Sequence, residues 1–136
     1  MPIENIVVCG TSIVGLATAL GLTKAGQRVT LLGPSVAVPP AVPGQYCPRV
    51  YAISPASQSF LEHLGVWGML DAARVTPVES MEVFGDASGQ VALRAWQAAM
   101  PTLAWIVESS ELERVLRQAV QVFGIAWQAE KFQGLE

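Results

Sequence analysis

Residues 3–32 read IENIVVCGTSIVGLATALGLTKAGQRVTLL, and the order of apolar runs and glycines in this stretch decides the fold class. Ile3 to Cys9, with its continuous apolar run Ile6–Cys9 ending at Gly10, predicts a short parallel strand covered on both faces. Small residues at Gly15, Ala17, Ala19 and Gly21 predict a helix over Ile13–Ala25 that can approach a sheet closely, with Gly26 as its stop. Arg28 to Leu32 then predicts a second strand. Between first strand and helix stands Gly10-Thr11-Ser12-Ile13-Val14-Gly15, a G-x-S-x-x-G variant of the dinucleotide fingerprint. In that pattern Gly10 permits the tight turn and Gly15 lets the helix pack near the strand. The free amides at the helix start attract a pyrophosphate. The expected fold is therefore α/β with a Rossmann-like βαβ unit, and Gly10, Thr11, Ser12, Ile13 and Gly15 are its candidate nucleotide contacts.

Two positions depart from the fingerprint. Ser12 replaces the middle glycine, although its hydroxyl is able to donate to a phosphate oxygen. Gly33 stands where Asp or Glu normally holds the ribose hydroxyls, so that charge-assisted contact is missing at this candidate position. Restoring Glu there is expected to tighten nucleotide binding. A small residue at 33 also makes room for the 2′-phosphate of NADP, with Ser35 beside it. No basic residue lies between Val29 and Pro48 to neutralise that phosphate, which ranks an NADP-binding module below an FAD site.

The uncharged run from Ile6 to Thr23 has near-spanning length. Gly10, Ser12 and Gly15 break it into strand, turn and helix, and Glu4 stands where a signal peptide would carry a base, so no transmembrane segment is expected. At 136 residues the chain has the size of one domain. With 51% hydrophobic and 14% charged residues it should pack a core and leave an apolar face unpaired. A net charge of -3, without a basic cluster, excludes nucleic acid as a partner. Cys9, Cys47 and the lone His63 are too few and too scattered for a zinc site. Cys9 is expected to be a reduced, buried thiol, consistent with a cytoplasmic location.

Further along, residues 33–44 are rich in Pro and Val without a period, which predicts an irregular connection. Ser54-Pro55 is a helix start, with Phe60, Leu61 and Leu64 on one face and Gly65 as terminator. Val66–Arg74 is expected to be a short helical stretch with Trp67 and Leu70 inward. Glu79–Phe84 and Gln90–Leu93 flank a glycine turn and predict an antiparallel hairpin. Leu103–Val107 predicts a strand. Ser110 and Glu113 form a capping-box pattern before a helix with Leu112, Val115, Leu116, Ala119 and Val122 on its buried face, and Ile125–Gln128 begins another strand. The four tryptophans are expected in the core, and His63 at the surface or half-buried.

Cys47-Pro48-Arg49-Val50-Tyr51-Ala52-Ile53-Ser54-Pro55-Ala56-Ser57 resembles the D-x-R-x-x-A-L-S-x-x-S signature of the ubiquinone-biosynthesis (UbiH/UbiF) group of FAD-dependent aromatic hydroxylases, in the para-hydroxybenzoate hydroxylase class. Cys47 replaces the leading Asp and Ile53 the Leu. Leu61 to Trp67 is similar to the group's L-x-x-L-G-V-W stretch. Trp105-Ile106-Val107-Glu108 is similar to its W-I-V-E-N, with Ser109 for Asn. The resemblance implies FAD as cofactor, NADPH or NADH as transient reductant, and a polyprenylated phenol as aromatic substrate. It implies Arg49 near the FAD, Ala52 and Ile53 running beside the flavin, and Ser109 as a further cofactor contact. A guanidinium at Arg49 suits phosphate or ribose oxygens, whereas Ser54 is explained by helix capping alone. No residue is nominated as a catalytic acid or base.

Residues 1–75 are expected to form the FAD-binding βαβ unit and flavin-contacting loop. Residues 76–136 should start a mixed or antiparallel substrate-domain sheet and return a helix and strand to the first unit, one incomplete domain overall. The resembled enzymes are much longer, which leaves a fragment of a working monooxygenase, a truncated non-catalytic relative, or a partner in a ubiquinone-biosynthesis complex as readings. Peripheral contact with the inner membrane is a further expectation of the resemblance.

Overall fold

The computed structural model describes residues 4–135. Strand β1 (Asn5–Cys9) leads through Gly10-Thr11-Ser12 into α1 (Ile13–Lys24), and β2 (Arg28–Leu32) returns parallel to β1, with Asn5 opposite Arg28 and Cys9 opposite Leu32. The expected strand start at Ile3 lies outside the described residues. The near-spanning apolar run is thus split into strand, turn and helix, and no described helix is long and apolar enough to cross a membrane. After an irregular segment come β3 (Val50–Ile53), α2 (Pro55–His63) and two 3-10 turns (Trp67–Met69 and Ala72–Arg74). Then follow β4 (Val75–Val78), β5 (Ser80–Phe84) and β6 (Gln90–Arg94). A 3-10 turn (Ala95–Ala98), β7 (Ala104–Glu108), α3 (Ser109–Val122) and β8 (Ala126–Gln128) complete the order.

The strands form a parallel sheet β1–β2–β8, an antiparallel sheet β3–β7–β4 and the β5–β6 hairpin. Because β8 pairs in parallel with β2, the last strand joins the sheet that the first βαβ unit began. Val29 and Leu31 of β2 point to the helices, where Leu16 and Leu20 of α1 meet Leu112, Val115 and Leu116 of α3 in one buried cluster. Truncating any of these leucines to alanine should cost about 2–5 kcal/mol, the usual range for a buried large-to-small change. Pro77 sits on β4, an edge of its sheet, where the missing N–H costs least.

Several expectations are corrected. Helices cover only one face of the parallel sheet, so Val7 is 49% exposed and Cys9 is exposed rather than buried. Val66–Arg74 forms two 3-10 turns instead of one helical stretch, because Leu70 is extended and Asp71 caps the second turn through Ala73 N–H. Trp67 and Leu70 nevertheless pack on the core. The capping box is not formed: α3 starts at Ser109 with Glu108 as N-cap, and the Glu108 side chain is engaged elsewhere. Val122 is 78% exposed, and Val120 takes the buried position. Trp67 and Trp105 meet edge to face at 5.5 Å, but Trp96 is 73% exposed. Every residue of β5 and β6 is exposed, and Met81, Val83, Val91 and Leu93 line one face of that hairpin.

Candidate functional site

Gly10 has φ 127°, a left-handed conformation that favours glycine, and a Cβ there would meet nothing within 4 Å. Gly15 is constrained differently. A Cβ on it would lie 2.0 Å from the Gly10 carbonyl oxygen, so the first turn of α1 sits directly on the loop that leaves β1. Ser12 caps α1 in an extended conformation without a side-chain hydrogen bond, which leaves its hydroxyl and the first amides of the helix available. Thr11 is buried and its hydroxyl donates to the Pro34 carbonyl at 2.6 Å. That bond ties the glycine loop to the end of β2.

In front of the α1 N-terminus lies a cleft of about 480 Å³ lined by Ser12, Ile13, Val14, Arg49, Tyr51, Ala52, Ile53, Ser109, Leu112 and Glu113. Six sequence-predicted positions (Ser12, Ile13, Arg49, Ala52, Ile53 and Ser109) line this cleft, although they come from α1, β3 and α3. The pairing of β3 with β7 explains the convergence: Val50 lies opposite Glu108, which brings Arg49 to the start of α3. There the Ser109 N–H donates to the Arg49 carbonyl at 3.0 Å. Gly10, Thr11, Gly15 and Gly33 do not line the cleft; they shape the loop behind it.

Sequence reasoning missed Tyr51, whose ring lies 5.4 Å beneath the Arg49 guanidinium. Its signal was the extended spacing, since residues two apart on a strand share a side. It also missed Arg74 and Glu108. Nη1 of Arg74 donates to both Glu108 carboxylate oxygens, at 2.9 and 2.7 Å, and the two side chains are 9% and 7% exposed. Nothing in their spacing, 34 residues apart, announces the pair. Cys47 lies beside it, its N–H donating to Glu108 Oε2 at 2.9 Å and its sulfur 3.6 Å from the Ser109 hydroxyl. Hydrogen bonding from Ser109, then from the Arg49 amide, holds the Cys47 thiol below its ordinary pKa against the opposing effect of burial.

A dinucleotide cofactor fits this geometry at its phosphate end: free helix amides, the Ser12 hydroxyl and Arg49 converge on one cleft. The ribose end lacks its usual partner. Gly33 is buried at φ 149°, its N–H donates to Gln128 O, and its carbonyl accepts from Trp127 Nε1, both at 3.0 Å. A Cβ on Gly33 would stand 3.0 Å from the Thr11 side chain. The expected benefit of Glu at this position therefore carries a backbone cost that the sequence did not reveal.

No family model matches the chain. Among curated proteins it is 34% identical over 117 residues to the 3-demethoxyubiquinol 3-hydroxylase of Escherichia coli strain K12, covering 86% of this chain and 30% of that protein. It is 27% identical over 125 residues to the mitochondrial ubiquinone biosynthesis monooxygenase COQ6 of Danio rerio, covering 86% of this chain and 25% of that protein. Among solved structures, p-nitrophenol 4-monooxygenase PnpA of Pseudomonas putida DLL-E4 superposes with a TM-score of 0.66 at 23% identity, over 91% of this chain and 31% of that one. The flavin-dependent monooxygenase PieE, solved with FAD and substrate, also superposes at 0.66, with 19% identity over 100% of this chain and 26% of that one. At such identities the structural likeness is one of fold. The chain is therefore similar, over the 25–30% of their length that it spans, to a demethoxyubiquinol hydroxylase and a ubiquinone biosynthesis monooxygenase.

Proposed function

We propose that this chain is the FAD-binding portion of a monooxygenase that hydroxylates a polyprenylated phenol on the route to ubiquinone. The observation that carries this reading is the single cleft joining Ser12 and Ile13 at the α1 N-terminus to Arg49, Ala52, Ile53 and Ser109. The α1 amides and the Ser12 hydroxyl bind the pyrophosphate, and Arg49, its guanidinium plane resting on Tyr51, neutralises it. Glu113 also lines the cleft, and its charge is compensated by Arg117, 3.0 Å away. Ala52 and Ile53 provide a small, apolar surface beside a flat ring. When bound, the flavin supplies the redox and oxygen chemistry, with a nicotinamide cofactor as reductant; the protein orients it and excludes water. Peripheral inner-membrane contact and membership of a biosynthetic complex follow from the same reading, given an aromatic substrate with a long apolar tail.

Loss of the ribose carboxylate costs on the order of 1.5–3 kcal/mol, or about tenfold to a hundredfold in affinity. The 136 residues alone are therefore expected to bind FAD weakly and to show no hydroxylase activity. The test is a titration followed by flavin absorbance and fluorescence, with an oxygen-dependent phenol hydroxylation assay alongside. Weak, saturable binding without turnover is expected. Sub-micromolar binding with coupled turnover would overturn the fragment reading, and absence of any flavin binding would overturn the cofactor reading. An NADP module is disfavoured by the lack of any basic residue between Val29 and Pro48.

A further inference from the structure

We infer that Arg74 and Glu108 are positioning residues for the cleft: their buried ion pair holds residues 42–49 against the start of α3 and thereby sets the place of Arg49. The inference rests on the reading of Arg49 as a cofactor contact. Residues 33–49 contain no helix or strand, and a Gln45 N–H to Val42 O bond is a local contact that does not join the segment to the sheets. Over residues 42–47 the main-chain ties to the rest of the fold come from the pair. Arg74 Nη1 donates to Gln45 O and Nη2 to Val42 O, each at 3.1 Å, while the guanidinium lies 5.6 Å from the Tyr46 ring. From the other side, Glu108 Oε2 accepts the Cys47 N–H at 2.9 Å, and the next residue, Ser109, donates its N–H to Arg49 O at 3.0 Å.

The chemistry selects arginine. One planar guanidinium serves two carbonyls, both oxygens of a carboxylate and an aromatic face, whereas an ammonium on the same stem lacks the fork that reaches all of them. Glu108 sits where β7 passes into α3, so one side chain couples the cleft wall made by α3 to the segment that presents Arg49. With the pair intact, Arg49 meets an anion without first ordering the segment before it, and binding is stronger by the ordering cost avoided.

The test uses the full chain in a Cys9→Ser background, so that Cys47 is the reporting thiol. Arg74→Lys should slow Cys47 alkylation by iodoacetamide severalfold at neutral pH, because a freed segment carries the thiol away from the Ser109 hydroxyl, and should weaken FAD binding about tenfold, with far-UV circular dichroism unchanged. Arg49→Met should weaken FAD binding without altering Cys47 alkylation. In the double variant the Arg74→Lys loss should disappear, because its effect passes through Arg49. If Arg74→Lys fails to fold, Glu108→Gln replaces it in the same cycle. A wild-type chain that binds no FAD removes the cofactor reading and this role with it, even if alkylation still responds. Wild-type binding, with alkylation and affinity in Arg74→Lys both within twofold of the parent, or with losses that add fully in the double variant, overturns the positioning role alone.

Discussion

The sulfur of Cys47 lies 3.6 Å from the hydroxyl of Ser109, so two departures from the motifs of the resembled hydroxylases face one another beside the first turn of α3. Thiol stands for carboxylate and hydroxyl for carboxamide. The pair keeps a hydrogen bond while giving up a permanent negative charge, and Glu108, already paired with Arg74, is the remaining carboxylate beside the Cys47 amide.

Cys47 should consequently react as a thiolate at lower pH than an ordinary cysteine. Since the Ser109 hydroxyl is the main cause of its lowered pKa, Ser109→Ala should move the midpoint of the alkylation rate against pH upward. At neutral pH that variant has a smaller thiolate fraction and alkylates more slowly. A midpoint that stays put, measured by mass spectrometry of the Cys47 peptide, would refute the assignment.

Gly15→Ala should be severe for so small a change. The added methyl meets a backbone oxygen at 2.0 Å and cannot escape by rotation, so α1 must lift from the loop. A loss of about 2–4 kcal/mol in urea unfolding is expected, near the upper end for single substitutions, together with loss of flavin binding. Ala19, fully buried in the same helix, provides a comparison: Ala19→Gly should cost about 1 kcal/mol from helix propensity, plus a contribution from lost packing.

Gly33→Glu separates two effects that the sequence alone joined. A carboxylate at this position suits a ribose, but φ 149° and the 3.0 Å approach to Thr11 strain any side chain there. Destabilisation of about 1–3 kcal/mol is expected. The same substitution should then give less gain in FAD affinity than a free carboxylate contact would, and calorimetric melting with a parallel titration reads both numbers.

Glu111 is 3% exposed and accepts from Arg114, at 2.6 Å to Oε1, and from the Asp71 N–H at 2.8 Å. Arg114 foremost, then the Asp71 amide, holds its carboxyl below the usual range against desolvation. A depressed folded-state pKa means stabilisation that is complete above the unfolded value, about 4.3, and is lost as pH falls through the folded one. Glu111→Gln should therefore cost about 1–3 kcal/mol at neutral pH, discounted for a partner that is 38% exposed, and the gap to wild type should narrow as pH falls below the unfolded value and close only below the folded one. A pH-independent gap would show that the hydrogen-bond geometry, and not the charge, matters.

The βαβ opening was legible because the glycines fall where apolar runs end, and because Gly26 and Gly124 close α1 and α3 at the expected ends. The cleft residues were legible mainly through motif resemblance; spacing alone does not bring Arg49 to Ser109, since antiparallel pairing across 58 residues does that. Strands β3 and β4 went unread: each is four residues long, and β4 contains Pro77, so neither offers enough period to register. The exposure of Cys9 was unread for another reason. An apolar strand specifies that it can be covered on both sides, whereas coverage depends on which elements arrive.

Among the described residues the β5–β6 ladder has no third strand, and its apolar side chains Met81, Val83, Val91 and Leu93 are 43–58% exposed. Its cross-strand hydrogen bonds are therefore held by little beyond themselves. In deuterated buffer the amides of this hairpin should exchange through local fraying, long before those of β2 or β7, whose side chains Leu31 and Val107 are fully buried and whose protection should track global unfolding. The molecule thus carries two clocks, one for a segment that opens by itself and one for a core that opens only as a whole.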